Sequence, residues 1–138
     1  MEIIKVNQHN PNQSFGYLFD TNVWLYIYGP VAGSNAKKQR IYSNLLNSII
    51  ERKAVIFITS LVLSEYINRV LRIGFQQWKD NGNYSADYKR DYRGTDDYKD
   101  NLADAIAQVE DILKITQRRP DNFNAMDINA ILAAMSQS

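Results

Sequence analysis

Two short apolar runs in this chain each stop on polar residues suited to starting a helix, and this arrangement narrows the possible folds more than any other feature. The first is "GYLFDTN", Gly16 to Asn22, and the second is "AVIFITS", Ala54 to Ser60. Short runs of aromatic and β-branched residues bounded by turn or cap residues are strand signals. The first run does not alternate between apolar and polar, so it is expected to be covered on both faces, as central parallel strands are. Between the two runs, Ile41, Leu45, Leu46, Ile49 and Ile50 recur at helical spacing over Lys38 to Arg52. After the second, Thr59 and Ser60 can cap a helix over "LVLSEYINRVLRIGF", with Leu63, Ile67, Val70 and Leu71 on one face. Strand, helices, strand, helix is the rhythm of a parallel sheet with right-handed crossovers.

The rest of the chain divides around that frame. "EIIKV", Glu2 to Val6, has the composition of a short edge strand. A short helix is expected over Val23 to Tyr28, stopped by Gly29 and Pro30, with "GPVAGSNAKK" as loop. "NLADAIAQVEDILKITQRR" has helical periodicity through Leu102, Ile106, Val109, Ile112 and Leu113 and ends at Pro120; "NFNAMDINAILAAM" predicts a final helix. Only two strands stand out, and a doubly wound sheet normally continues with another. The middle stretch is rich in charge and tyrosine. Tyr84, Tyr88 and Tyr92 are spaced to form one helical stripe beside Lys89, Arg90 and Arg93, offset by Asp80, Asp87, Asp91, Asp96, Asp97 and Asp100. Those tyrosines either stack nucleic-acid bases or pack on the next helix, and the excess of acids favours packing.

Composition removes several chemistries. The 138 residues, 45% hydrophobic, suit one domain over residues 1–138, with residues 84–100 as a tyrosine- and charge-rich helical insertion. There are no cysteines, which excludes disulfides, zinc–thiolate sites and a cysteine nucleophile. The one histidine, His9, sits in the polar stretch "NQHNPNQS" and reads as a loop residue, which disfavours chemistry that needs a histidine base. No apolar run approaches the ~18 residues of a membrane span, and the N-terminus lacks the pattern of a secretory signal, so the expected location is the cytoplasm. Formal net charge is +1, so any surface that attracts nucleic acid requires local segregation of charge.

Three carboxylates stand where segments of such a fold could converge. Asp20 ends the first strand, Glu65 lies in the helix after the second, and Asp127 lies in the first turn of the last helix. Ligands of open α/β sheets bind beyond the C-terminal strand ends. Clustered carboxylates repel unless a cation sits among them, and a set of oxygen ligands alone selects Mg²⁺ or Mn²⁺. Each acid also has a local explanation. Asp20, Thr21 and Asn22 are all good N-caps, Glu65 precedes Arg69 at ion-pair spacing, and Asn124 with Asp127 has capping-box spacing.

The sequence resembles the PIN-domain family of metal-dependent nucleases in "YLFDTNVWL", "FITSLVLSEYINRVL" and, more loosely, "AMDINAILAAM", a likeness running from Phe15 to Met135. The resemblance implies a three-layer, Rossmann-like parallel sheet with helices on both faces. It also implies an endoribonuclease that hydrolyses phosphodiesters with bound Mg²⁺ or Mn²⁺. Carried over, Asp20 is the primary metal ligand, Glu65 binds metal or positions the attacking water, and Asp127 completes the set. Asn22 orients Asp20 or substrate, and Thr21 and Ser60 shape the substrate pocket. Two departures accompany the likeness. Some family members carry the third acid two or three positions later, where Asn129 and Ala130 stand here. The fourth acid normally follows a further strand, and the sequence ends at Ser138 before one, which predicts a fragment lacking the C-terminal part of the family fold. Small size and family habit suggest a toxin with an antitoxin partner, and a homodimer. The competing readings are an inactive PIN-like domain that binds RNA or protein, and a haloacid-type phosphatase, which wants an aspartate where Asn22 stands.

Overall fold

Strands β1 (Gly16–Leu18) and β2 (Val55–Ile58) lie side by side and parallel, with Gly16 opposite Val55 and Leu18 opposite Phe57. The computed structural model describes residues 11, 16–31 and 34–119. The order of elements is β1, α1 (Thr21–Tyr28), α2 (Ala36–Glu51), β2, α3 (Ser60–Asp80), a π-helical turn (Tyr88–Tyr92), α4 (Asp96–Lys114) and β3 (Gln117–Arg118). This is a mixed α/β fold, mostly helical, around a three-stranded parallel sheet ordered β1-β2-β3. The predicted strand "EIIKV" and the predicted helix containing Asp127 lie outside the described residues.

Two expectations change. The tail of the helix predicted up to Pro120 is not helical: α4 stops at Lys114, and Gln117 and Arg118 pair with Phe57 and Ile58 as a third parallel strand. The β-branched pair Ile115 and Thr116 favours leaving the helix, but the strand itself exists because β2 offers an open edge. The second concerns the first strand, expected to be covered on both faces. Among the described residues β1 is an edge, with Gly16 exposed and Leu18 46% exposed.

Each helix starts and stops for local reasons. Asp20, Asn35, Thr59 and Thr95 are the N-caps of α1, α2, α3 and α4. Each side chain accepts a hydrogen bond from an otherwise orphaned amide of the first turn. At the end of α2 the Lys53 amide donates to the Ile50 carbonyl at 3.0 Å and the Ala54 amide to the Ile49 carbonyl at 3.1 Å. That is the Schellman pattern, and Lys53 takes its left-handed position at φ 57°.

Burial shows how the layers stack. Ile56 and Ile58 of β2 are closed to solvent while Val55 and Phe57, on the opposite face, are half-buried. Both crossovers step in the same direction across the sheet, so right-handed connections put their helices on one face. There α1 packs on α2 and α3, and α3 on α4. The core joins Trp24 and Leu25 of α1, Leu46 and Ile49 of α2, Tyr66, Ile67 and Val70 of α3, and Val109 and Ile112 of α4. The helices of the described residues thus form a single layer on the sheet.

The tyrosine-rich middle is a second packing centre. Tyr88 and Tyr92, both buried, point inward from the π-helical turn onto Phe75, Trp78 and Tyr98, with ring centroids 5.1–6.5 Å apart. The Tyr92 hydroxyl donates to Asp97 at 2.6 Å and accepts from Asn101 at 2.7 Å. Tyr84 lies outside the turn and is 73% exposed. The expected stripe of three is therefore two core residues and one loop residue.

Candidate functional site

The C-terminal ends of the three strands share one edge of the sheet. Leu18 is paired with Phe57, and two residues further on both chains are still extended, with Asp20 at φ −62°, ψ 153° and Thr59 at φ −109°, ψ 156°. The register therefore brings Asp20 level with Thr59, about one strand spacing (~5 Å) away. On the other side of β2 the Arg119 amide donates to the Ile58 carbonyl at 2.9 Å, which brings Arg119 to the same level. Asp20 and Thr59 are also the caps from which α1 and α3 depart, so both helices start from one row.

Asp20 does cap α1, but weakly. Its Oδ1 accepts from the Asn22 amide at 3.4 Å, and its side chain is exposed and otherwise unpartnered among the described residues. Directly below it, Thr21 is buried and Phe19 packs on Trp24 with ring centroids 5.1 Å apart. These contacts fix the cap while leaving the carboxylate in solvent. Asn22 is exposed next to it. Thr21 is only 1% exposed, so it can shape a pocket from beneath and has no surface to offer a ligand.

Glu65 lies six residues beyond the Thr59 cap, about 9 Å along α3, and is exposed. The ion pair with Arg69 that its spacing allows is not made: the two ion pairs among the described residues are Arg90–Asp91 and Lys114–Asp111. Ser60 is half-buried in the first turn of α3. The structure thus brings Asp20 and the α3 start that carries Glu65 to one end of the sheet. Asp127 lies outside the described residues, which contain no group of three His, Cys, Asp or Glu side chains able to hold a metal.

Two features of this region are not evident in the sequence. Arg119 follows β3 directly, level with Asp20, its guanidinium 5.3 Å from the Phe57 ring centroid. Its local pattern is that of a helix, and only pairing with β2 moves it to this edge. The second is α2, whose first turns carry Lys37, Lys38 and Arg40, all exposed. The available signal is the lack of any Asp or Glu from residue 21 to residue 50. An open hollow of about 510 Å³, lined by Trp78, Asn83, Tyr84, Arg90 and Asp91 among others, lies at the opposite end of α3. Trp78 is about 20 Å along that helix from Glu65, so the hollow takes no part in this site.

No protein-family model, curated protein or solved structure matches this chain. The site's chemistry rests on its own geometry. Exposed carboxylates such as Asp20 and Glu65, which make no ion pair among the described residues, are hard oxygen donors suited to a hydrated divalent ion.

Proposed function

We propose that this protein is a metal-dependent endoribonuclease of the PIN kind, in which Asp20, Glu65 and Asp127 hold Mg²⁺ or Mn²⁺ against a phosphodiester of RNA. The observation that carries this reading is the register that sets Asp20 level with Thr59, the cap of the helix bearing Glu65. Asp20 and the start of the helix that carries Glu65 then share the sheet edge where ligands of open α/β folds bind, and neither carboxylate makes an ion pair among the described residues. Asp20 would bind the ion directly, and Glu65, further from the edge, would bind it through water or orient the nucleophile. Asn22 would hold Asp20 or the substrate, above a floor shaped by Thr21 and Ser60. The ion, when bound, makes water more acidic and offsets phosphoryl charge. The three-layer arrangement that the PIN likeness implies, which requires helices on the other face of the sheet in addition to the single layer formed by the described residues, belongs to the same proposal, as do an antitoxin partner, a homodimer and a cytoplasmic location. Among the described residues no helix is long and apolar enough to cross a membrane.

The test is cleavage of a labelled single-stranded RNA with Mn²⁺ or Mg²⁺, against Asp20→Asn and Glu65→Gln. Metal-dependent cleavage, lost in both variants, supports the nuclease. RNA binding without cleavage under any divalent ion would favour the inactive binding domain instead.

A further inference from the structure

The charge of this nearly neutral chain is divided between its two halves. Residues 21–53 carry five bases (Lys37, Lys38, Arg40, Arg52 and Lys53) against the single acid Glu51, whereas residues 80–111 carry nine acids against four bases. The cations at the start of α2 have no ion pair among the described residues. Tyrosines accompany them. The Lys38 Nζ lies 5.3 Å from the ring centroid of Tyr26, and the Tyr26 ring lies 6.0 Å from that of Tyr42 at a tilt of 38°. Tyr26 and Tyr42 are both half-buried, so part of each side chain reaches this surface.

We infer that the α1–α2 surface, formed by Tyr26, Tyr42, Lys37, Lys38 and Arg40, is the track on which single-stranded RNA lies as it approaches Asp20. Three observations converge on it. First, it is connected to the candidate site: Asn22 and Tyr26 are four residues apart on one face of α1, so the path from Asp20 to the tyrosine pair follows a single helix side, about 9 Å long. Second, its chemistry matches a single strand. Partly exposed tyrosines can stack bases whatever their sequence, and cations beside them that make no ion pair among the described residues can take the phosphates. An acidic protein would be attracted by the same charge but would have no particular use for a pair of half-buried tyrosines beside it. Third, the alternative surface is occupied. In the tyrosine-rich middle, Tyr88 and Tyr92 are buried and Arg90 is paired with Asp91 at 3.0 Å, leaving an acidic exterior.

The inference concerns the substrate path of the proposed nuclease, and rests on that reading for its RNA. It is tested separately from cleavage by measuring binding in EDTA, using the full chain and a fluorescein-labelled single-stranded RNA of about twelve nucleotides. Lys37→Glu with Arg40→Glu is expected to weaken binding about tenfold or more. The dependence of log affinity on log salt should become shallower by about 0.7 for each phosphate no longer neutralised. Tyr42→Leu, which keeps apolar packing, is expected to weaken binding while leaving the salt slope unchanged. Lys99→Glu, on the acidic half, is expected to do little. Lys37→Gln with Arg40→Gln provides the same comparison if charge reversal disturbs folding. Unchanged affinity and slope in the α2 variants would overturn the inference, as would wild-type protein that binds poly-glutamate in place of RNA. Binding through α2 with no metal-dependent cleavage would defeat the nuclease and leave the track standing. Cleavage that ignores the α2 variants at sub-saturating RNA would do the reverse.

Discussion

Asp20 has a structural role and a proposed chemical one, and a single substitution separates them. As a cap it accepts one long hydrogen bond from Asn22, and asparagine caps a helix about as well as aspartate. Asp20→Asn should therefore shift unfolding stability by no more than about 0.5 kcal/mol in urea titration. Metal-dependent cleavage in the same protein should fall about 100-fold or more, since a neutral amide is a poor replacement for a carboxylate on Mg²⁺ or Mn²⁺. Gly74 makes the opposite case, where only packing matters. A Cβ there would run into the Asn101 side-chain amide and come within 3.0 Å of the Tyr92 hydroxyl. Those two groups already hold each other and Asp97, so neither can move aside freely. Gly74→Ala should cost about 1–3 kcal/mol by overpacking, read as a lower urea midpoint at unchanged slope.

At the scale of elements, helix ends were largely legible because capping is local chemistry. Thr59 caps α3 as its position after an apolar run suggests, and Gly29 closes α1. The end of α2 departs from the favoured chemistry, since its left-handed position is filled by Lys53, not glycine. Holding a side chain there costs about 1–2 kcal/mol, of which glycine's greater freedom in the unfolded chain returns a part. Lys53→Gly is expected to stabilise the protein by about 1 kcal/mol, seen as a higher thermal midpoint. Helix α3 runs on to Asp80, past the Phe75 where its aliphatic periodicity fades. Its last turns are held by Phe75 and Trp78 against tyrosines that follow in sequence. That dependence on a later segment is why periodicity alone ends the helix too soon.

For the molecule as a whole, buried hydroxyls link stability to pH. Tyr66 and Tyr92 are fully closed to solvent, and burial holds their hydroxyl pKa values well above the ordinary 10.0. For Tyr92, the acceptor Asp97 adds to the rise. Burial also raises Tyr28 and Tyr88. An unfolded chain ionises these groups from about pH 10, while the folded chain keeps their protons. The unfolded state therefore binds fewer protons above that pH, and stability falls as pH rises toward the folded values. The urea midpoint should hold steady up to about pH 9 and decline above pH 10. Tyr66→Phe combined with Tyr92→Phe should make that decline shallower; an unaltered slope would show that other groups control alkaline unfolding.

Local sequence determined the parts of this protein that depend on near neighbours in the chain. Strand β2, the caps at Asp20 and Thr59 and the helical faces of α2, α3 and α4 were all readable, because propensity, capping and amphipathic spacing act within a few residues. The tertiary structure alone decided what depends on distant partners. Gln117 and Arg118 leave a helical pattern because β2 supplies an edge for them to pair with, and among the described residues β1 lies at an edge because the sheet grows away from it. Tyr88 and Tyr92 enter the core because α3 and α4 offer aromatic partners. Whether Asp20 and Glu65 share one end of the sheet is likewise a matter of register between β1 and β2. Register is set by the packing of whole strands, and no short stretch of sequence contains it.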